Sequence, residues 1–361
     1  KTDLGLPVAV VPGEAIAARF AAAELSDSIR AFLTRTYAAW GIEYVLLVGT
    51  ADPFDRLAGS DAAVGSLPMK MAWPRGDGRT GTKKNGQPAY GWCPTDHYYA
   101  DLSAEWDVDG DGYAGAPDDA VPSAIRIRTG DQVEVLERAR PGFDFDMEVL
   151  VGRIPFDDAR AVDEVLARTI LYERESAAPP AGRRRVYVAT GCVQSTADYG
   201  WLGRQIEEAA VPEGLAVETW FQGVSAVRGD HVLSDRSLVD AWEERAPGLV
   251  VWTGHGNPSS VVIGFKGHRD GLLISRPSVG GLARDVAPFV VQGSCSTAEP
   301  EKPQNLAHTI LAGRAVTTIA ASRVAWYRKG QRRFGGTCTI GDLVYHAAAS
   351  HLAGLPAGLA I

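Results

Sequence analysis

The chain has little cysteine, little methionine and no long apolar run. Its 361 residues include four cysteines (Cys93, Cys192, Cys295 and Cys338) and three methionines. Thiols this sparse do not make a disulfide framework, and no CxxC or Cys/His cluster has zinc spacing. With Cys295 as a reactive thiol, at most one disulfide is expected. No window approaches the roughly eighteen consecutive apolar residues of a membrane-spanning helix, so no membrane span is expected. Basic side chains are in deficit, 36 Lys and Arg against 44 Asp and Glu, for a formal net charge of -8. Nucleic acids and anionic membranes both need clustered cations on the protein. Proteins or small molecules are the expected partners. Lys1-Thr2-Asp3 is not a signal peptide and the chain starts without Met, as expected of a processed or excised piece of something longer.

A hydrophobic content of 45% is ample for a large core, and this length predicts two domains or one large α/β domain with two lobes. Pro7 to Val11 reads as a first strand. Ser26 is placed to cap a helix that runs through Trp40, with apolar positions Ile29, Leu33, Tyr37 and Trp40 and a stop at Gly41. Tyr44 to Val48 reads as a buried parallel strand, Gly59 to Tyr90 as a long surface excursion, and Met147 to Ile154 as a strand. Asp157-Asp158 caps a helix carrying Val162, Val165, Leu166 and Ile170 on one face. The second half alternates strands (Val186 to Ala189, Leu215 to Phe221, Leu249 to Thr253, Phe289 to Gly293, Val316 to Ala320) with helices (Trp201 to Ala210, Ser234 to Arg245, Asn305 to Leu311, Leu343 to Leu352). A long loop is expected before Phe289. Such alternation implies a parallel sheet covered on both faces.

Two of those strands organise the rest. Leu249-Val250-Val251-Trp252-Thr253-Gly254-His255-Gly256 and Phe289-Val290-Val291-Gln292-Gly293-Ser294-Cys295-Ser296 each run apolar and then turn through small residues carrying one reactive side chain. A thiol that attacks a carbonyl needs a base and oxyanion donors. His255 and Cys295 make such a pair, and the N–H groups of Gly256 and Cys295 are the natural oxyanion donors. A lone cysteine of this kind is otherwise an inert core residue, and Gly-His-Gly turns have other uses.

A second constellation is Asp107-Val108-Asp109-Gly110-Asp111-Gly112-Tyr113. With Asp107 at position 1 of a calcium loop, Asp109 falls at 3, Asp111 at 5, Gly112 at 6, the Tyr113 carbonyl at 7 and Asp118 at 12. Ca2+ is the expected cofactor, in an architectural role because Asp118 is shorter than the usual closing Glu. The alternative is a solvated Asp-Gly turn.

Thr253-Gly254-His255-Gly256 followed by Ser294-Cys295-Ser296-Thr297 resembles the catalytic signature of gingipain-type cysteine peptidases (family C25). In the same order as in that family, so do Tyr44 to Gly49, Asp96-His97-Tyr98-Tyr99-Ala100-Asp101-Leu102, Trp106 to Gly112, Glu148 to Pro155 and Tyr172-Glu173-Arg174. The resemblance implies a three-layer α/β/α caspase-like fold with mostly parallel sheets in two adjacent subdomains. Residues 1–155 would be an N-terminal subdomain with structural calcium, lacking the strand and helix that family members carry first. Residues 156–361 would be the catalytic subdomain with the Cys295/His255 dyad. It also implies a secreted or cell-surface bacterial enzyme acting on a protein or peptide substrate, with a propeptide or further domains of the same precursor as possible partners.

Trp326 matches a family tryptophan of the primary specificity pocket, and Gly203, Gly293 and Ser294 fall at pocket positions by the same resemblance. Around Trp326 stand Arg323, Arg328, Lys329, Arg332 and Arg333, either solvated or favouring acidic groups. Two positions depart from the family pattern. Cys192 stands where an acid orients the histidine, and Gly203 near where an acid selects arginine, with Asp198, Glu207 and Glu208 as neighbours. Strict Arg or Lys cleavage is therefore not assumed. The expected activity is that of a cysteine endopeptidase. The alternatives are a sortase-like transpeptidase using the same dyad and a catalytically silent caspase-like binding module; an adhesion module centred on the calcium loop is a further reading.

Overall fold

The computed structural model describes residues 5–54, 65–72, 93–108, 110, 112, 114–115, 125–129, 132–136, 146–175, 178–194, 197–234, 236–265, 268–336 and 339–354. The chain divides into two units, Lys1–Pro155 and Phe156–Ile361.

In the first unit, helices α1 (Gly13–Arg19) and α2 (Leu25–Trp40) precede β1 (Tyr44–Val48), β2 (Lys70–Ala72), β3 (Cys93–Thr95), β4 (Ile125–Thr129), β5 (Gln132–Leu136) and β6 (Leu150–Ile154). Strands β1 and β6 pair in parallel from Tyr44↔Leu150 to Val48↔Ile154. Pro7 to Val11 forms no strand: Val10 is 90% exposed, and β1 pairs only with β6 among the described residues. Ser26 does not cap α2, which starts one residue earlier with Glu24 at the cap; the Ser26 hydroxyl donates to the Glu24 carboxylate instead. Gly41 ends α2 in the left-handed conformation at φ 62°. Strand β1 is not doubly buried, because Tyr44 and Leu46 point outward and only Leu47 is in the core.

The Asp96 to Leu102 motif has a structural explanation. Asp96 receives two charge-assisted bonds from Arg153 of β6, at 2.7 and 2.6 Å, and Arg153 also donates to the Leu67 carbonyl. Tyr98 and Tyr99 sink into a core with Ile29, Leu33, Leu47, Trp106 and Val149. The planar guanidinium matches the carboxylate fork, and the arrangement ties the β6 end to the Asp96 turn.

The second unit runs through α3 (Ala159–Arg174), β7 (Arg185–Thr190), β8 (Cys192–Gln194), β9 (Ala197–Asp198), α4 (Gly200–Ala210), β10 (Ala216–Gln222), β11 (His231–Leu233) and α5 (Ser237–Glu244). It continues with β12 (Leu249–Thr253), β13 (His255–Asn257), β14 (Ser260–Phe265), β15 (His268–Ser275), α6 (Arg276–Val279), β16 (Phe289–Gly293), α7 (Leu306–Gly313), β17 (Thr317–Ala320) and α8 (Ile340–Leu352). Six strands form one sheet in the order β11-β10-β7-β12-β16-β17, every neighbouring pair parallel. All five residues of β12 and all five of β16 are buried.

Alternation sends Tyr187, Trp220, Val250, Trp252 and Val290 to one face, against α5, α6, α7 and the inner side of β14 and β15. Val186, Val188, Phe221, Val251 and Val291 go to the other, against α4 and α8. The sheet is therefore the middle of three layers, as sequence alternation predicts. The segment before Phe289 is not a long loop. It holds the antiparallel sheet β13-β14-β15 and the short α6, which close over Leu238 and Trp242 of α5. Helix α8 begins at Ile340, three residues earlier than expected, because Thr339 and Asp342 form a capping box.

Candidate active site

Strands β12 and β16 are neighbours in register, with Thr253 opposite Gly293. His255 and Cys295 each lie two residues beyond that last pair, so both leave the C-terminal edge of the sheet at equivalent positions. The Gly254 N–H donates to the Gly293 carbonyl at 3.3 Å, continuing the ladder by one rung. Beyond it the two turns touch. A β-carbon on Gly256 would lie 2.3 Å from the Cys295 carbonyl oxygen and 2.9 Å from the Cys295 nitrogen. Glycine is required there because backbone meets backbone.

Both His255 and Cys295 are partly buried. The Cys295 thiol faces the Ala325 carbonyl at 3.7 Å. Ser296, immediately after it, has φ 53°, a left-handed conformation that costs energy for a non-glycine residue and concentrates at functional sites. Its N–H donates to the Arg323 carbonyl, and the Ala298 N–H to the Ala321 carbonyl. Residues 321–325 thus run beside the Cys295 turn. The sequence carries no signal for the contribution of Ala325, since a backbone carbonyl has no residue identity.

Trp326 follows Ala325 and is 54% exposed. Its carbonyl accepts from the Ile340 N–H, so the tryptophan sits between the thiol segment and the start of α8. Asp342, the other partner in that cap, is buried and accepts from Thr339, Gln331 and the Gly335 and Gly336 N–H groups. These bonds hold its carboxyl below the usual carboxylate range despite burial. Asp342 shapes the return of the 326–336 loop, and the Thr-x-x-Asp cap was the sequence signal for it. Of the loop's basic groups, Arg323 forms a fork with Glu301. Arg328, Lys329, Arg332 and Arg333 are exposed, Arg332 lying over the Trp201 ring.

Ser294 is buried with no partner for its hydroxyl among the described residues, and its N–H closes a tight turn onto the Gln292 carbonyl. Gly293 backs onto Thr253 and Val344, with no space for a side chain. Gly203 lies within α4 against the sheet; a β-carbon there would meet the Phe221 ring at 2.3 Å and the Thr190 hydroxyl at 3.0 Å. Phenylalanine fills the volume that a longer residue at 203 would need. Cys192 is buried; its N–H donates to the Gln222 side chain, and its thiol lies 3.6 Å from the Asp198 carboxylate. Asp198 also accepts from Gly200 and Ala226. The carboxylate nearest the 192 position is therefore supplied from six residues downstream.

Tyr199 packs between Phe334 and Gly341 with its hydroxyl buried and without a partner among the described residues. Burial pushes its phenol far up, and Asp342, Cys295 and Tyr327 add to the effect. Of the candidate calcium ligands only Asp107 lies within the described residues; Asp109, Asp111, Tyr113 and Asp118 lie outside them. Asp107 accepts from the Gly112 N–H through Oδ2, and its Oδ1 is buried with no partner among the described residues. Gly110 and Gly112 both have positive φ, as a sharp loop needs.

A parallel sheet with helices on both faces, and a thiol and an imidazole leaving adjacent strand ends, defines a caspase-like α/β protein. The sequence profile of peptidase family C25 matches residues 1–351. The chain belongs to that family. Among solved structures, the crystal structure of the Arg-specific cysteine proteinase gingipain R is similar, with TM-score 0.54 and 16% identity, over 86% of this chain and 56% of that one. The chain thus spans little more than half the length of that structure. A second, described only as a protease, matches with TM-score 0.48 and 12% identity, over 92% of this chain and 66% of that one. No curated protein sequence matches. Among the described residues no helix is long and apolar enough to cross a membrane.

Proposed function

We propose that the chain is an endopeptidase in which Cys295 is the nucleophile and His255 the base. What supports this most is the contact between the two strand ends, where the Gly256 backbone meets that of Cys295 and both reactive residues sit two positions past a shared register. The Cys295 thiolate attacks the scissile carbonyl, forming the C–S bond while the Gly256 and Cys295 N–H groups receive the oxyanion. The protonated His255 passes its proton to the leaving amine as the C–N bond breaks. It then takes a proton from water, which attacks the thioester, releases the acid product and restores the thiol.

Trp326, exposed beside the thiol segment, lines the substrate side of this reading, while Gly203, Gly293 and Ser294 are buried behind it. Gly203 carries no acid and has no room for one, so a strict preference for arginine or lysine before the cleaved bond is not assumed. A positional-scanning peptide library tests activity and preference together: wild type cleaves, while Cys295→Ala and His255→Ala lose at least about 10³-fold in rate. Cleavage that survives in Cys295→Ala removes the reading. An added amine nucleophile separates hydrolysis from transfer to an amine.

Calcium at the Asp107 loop belongs to the same reading. The buried Asp107 Oδ1, without a partner among the described residues, and the glycine turns fit a hard cation, with Asp109, Asp111, the Tyr113 carbonyl and Asp118 as further ligands. Bound there, the ion would neutralise the clustered carboxylates and brace the loop. A secreted or cell-surface setting in a bacterium, where calcium is plentiful, completes the proposal.

A further inference from the structure

Beside α6 and α7, away from the His255 and Cys295 turns, a cavity of about 930 Å³ opens in the second unit. Its lining includes Phe156, Pro277, Val279 and Ala312, and three arginines, Arg276, Arg284 and Arg314. Among the described residues no carboxylate lines it. Among the described residues none of the three arginines forms an ion pair, although arginines elsewhere in the chain commonly do.

Arg314 is the anomaly. It is only 4% exposed, yet it donates only to backbone carbonyls, those of Gly313 and Gly280. Its Nε–H is buried without a partner among the described residues, and so is that of Arg276, whose Nη2 donates to Gln304 at 2.6 Å. Burial lowers the affinity of Arg314 for its proton, and the like charges of Arg284 and Arg168 lower it further. A cation taken out of water beside other cations, with a donor left over, is strongly unfavourable unless an anion joins it.

We propose that this cavity binds an oxyanion, a carboxylate or phosphate group borne on an apolar body. Guanidinium forks match the paired oxygens of either group. The volume is that of a small-molecule or short-peptide site, which typically measures roughly 300–1,000 Å³. The apolar wall formed by Phe156, Val279 and Ala312 receives the body, and Arg276, Arg284 and Arg314 receive the head. The site does not depend on the chemistry at Cys295: none of its lining residues belongs to the 254–256 or 293–296 turns.

The test uses the full chain in chloride buffer at fixed ionic strength, titrated with inorganic phosphate, phenyl phosphate or 3-phenylpropionate, with thermal unfolding and calorimetric binding as readouts. Saturable binding with a rise in melting temperature is expected, tighter for a probe with a phenyl group than for inorganic phosphate. The better of the two phenyl probes identifies phosphate or carboxylate as the head. Arg276→Gln and Arg284→Gln should melt as wild type does in chloride and bind at least ten-fold more weakly. Arg314→Met, which replaces a buried cation with an apolar chain, should lose the response without losing stability in chloride. Absence of saturable binding by all three probes overturns the proposal. So does an equal response in wild type, Arg276→Gln and Arg284→Gln.

Discussion

Gly256 shows how little freedom the proposed site has. Its missing side chain lets two turns meet at backbone distance, with the Cys295 oxygen 2.3 Å from where a β-carbon would be. Gly256→Ala should therefore push the His255 turn away from Cys295 and lower kcat/KM by about ten-fold or more, as small misplacements do, while melting stays within a few degrees of wild type. Steady-state kinetics beside a melting curve check this. Gly203 offers a contrasting case. A methyl group there would strike the Phe221 ring within the α4 contact, so Gly203→Ala should cost about 1–3 kcal/mol by overpacking, read by denaturant unfolding. Both positions are legible as glycine in the sequence. Which of them guards chemistry and which guards packing was not legible, because the answer is the identity of an atom from a distant segment.

At the level of elements, α8 carries the clearest pH dependence. His351 near its end stacks on Phe289 of β16, ring centroids 4.4 Å apart. Burial drops its imidazole from 6.5 to about 4. Above the unfolded value the ring is neutral in both states and nothing changes. As pH falls from 6.5 towards 4, the unfolded chain takes up a proton that the folded one refuses, and stability falls by about 3 kcal/mol over that window. His351→Leu should flatten the melting temperature between those pH values; an unchanged slope would mean that the ring is hydrated. The same helix shows why sequence reading placed its start late. Its apolar period begins near Leu343, but the Thr339–Asp342 box extends it by a turn to Ile340. Strands β14 and β15 were hidden for another reason. Their pairing is set by the covering of Leu238 and Trp242, which no local period records.

At the scale of the molecule, a calcium ion on the Asp107 loop would act as a ligand of the folded state alone. A chelator should then lower the melting temperature, since a ligand at about a hundred times its Kd contributes about 2.7 kcal/mol. No shift, together with no metal in elemental analysis, would remove the ion from the account. Local pattern alone decided the α/β class, the two doubly buried strands and the residues that leave their ends, His255 and Cys295. Burial on both faces and the turn that follows are written in consecutive residues. The tertiary structure decided the rest. Parallel strands are joined through long connections, so only the folded sheet sets Thr253 opposite Gly293, brings the Ala325 carbonyl to the thiol, and gathers Arg276, Arg284 and Arg314 around one cavity. Each of these contacts depends on where distant segments come to rest, and packing of the whole core makes that choice.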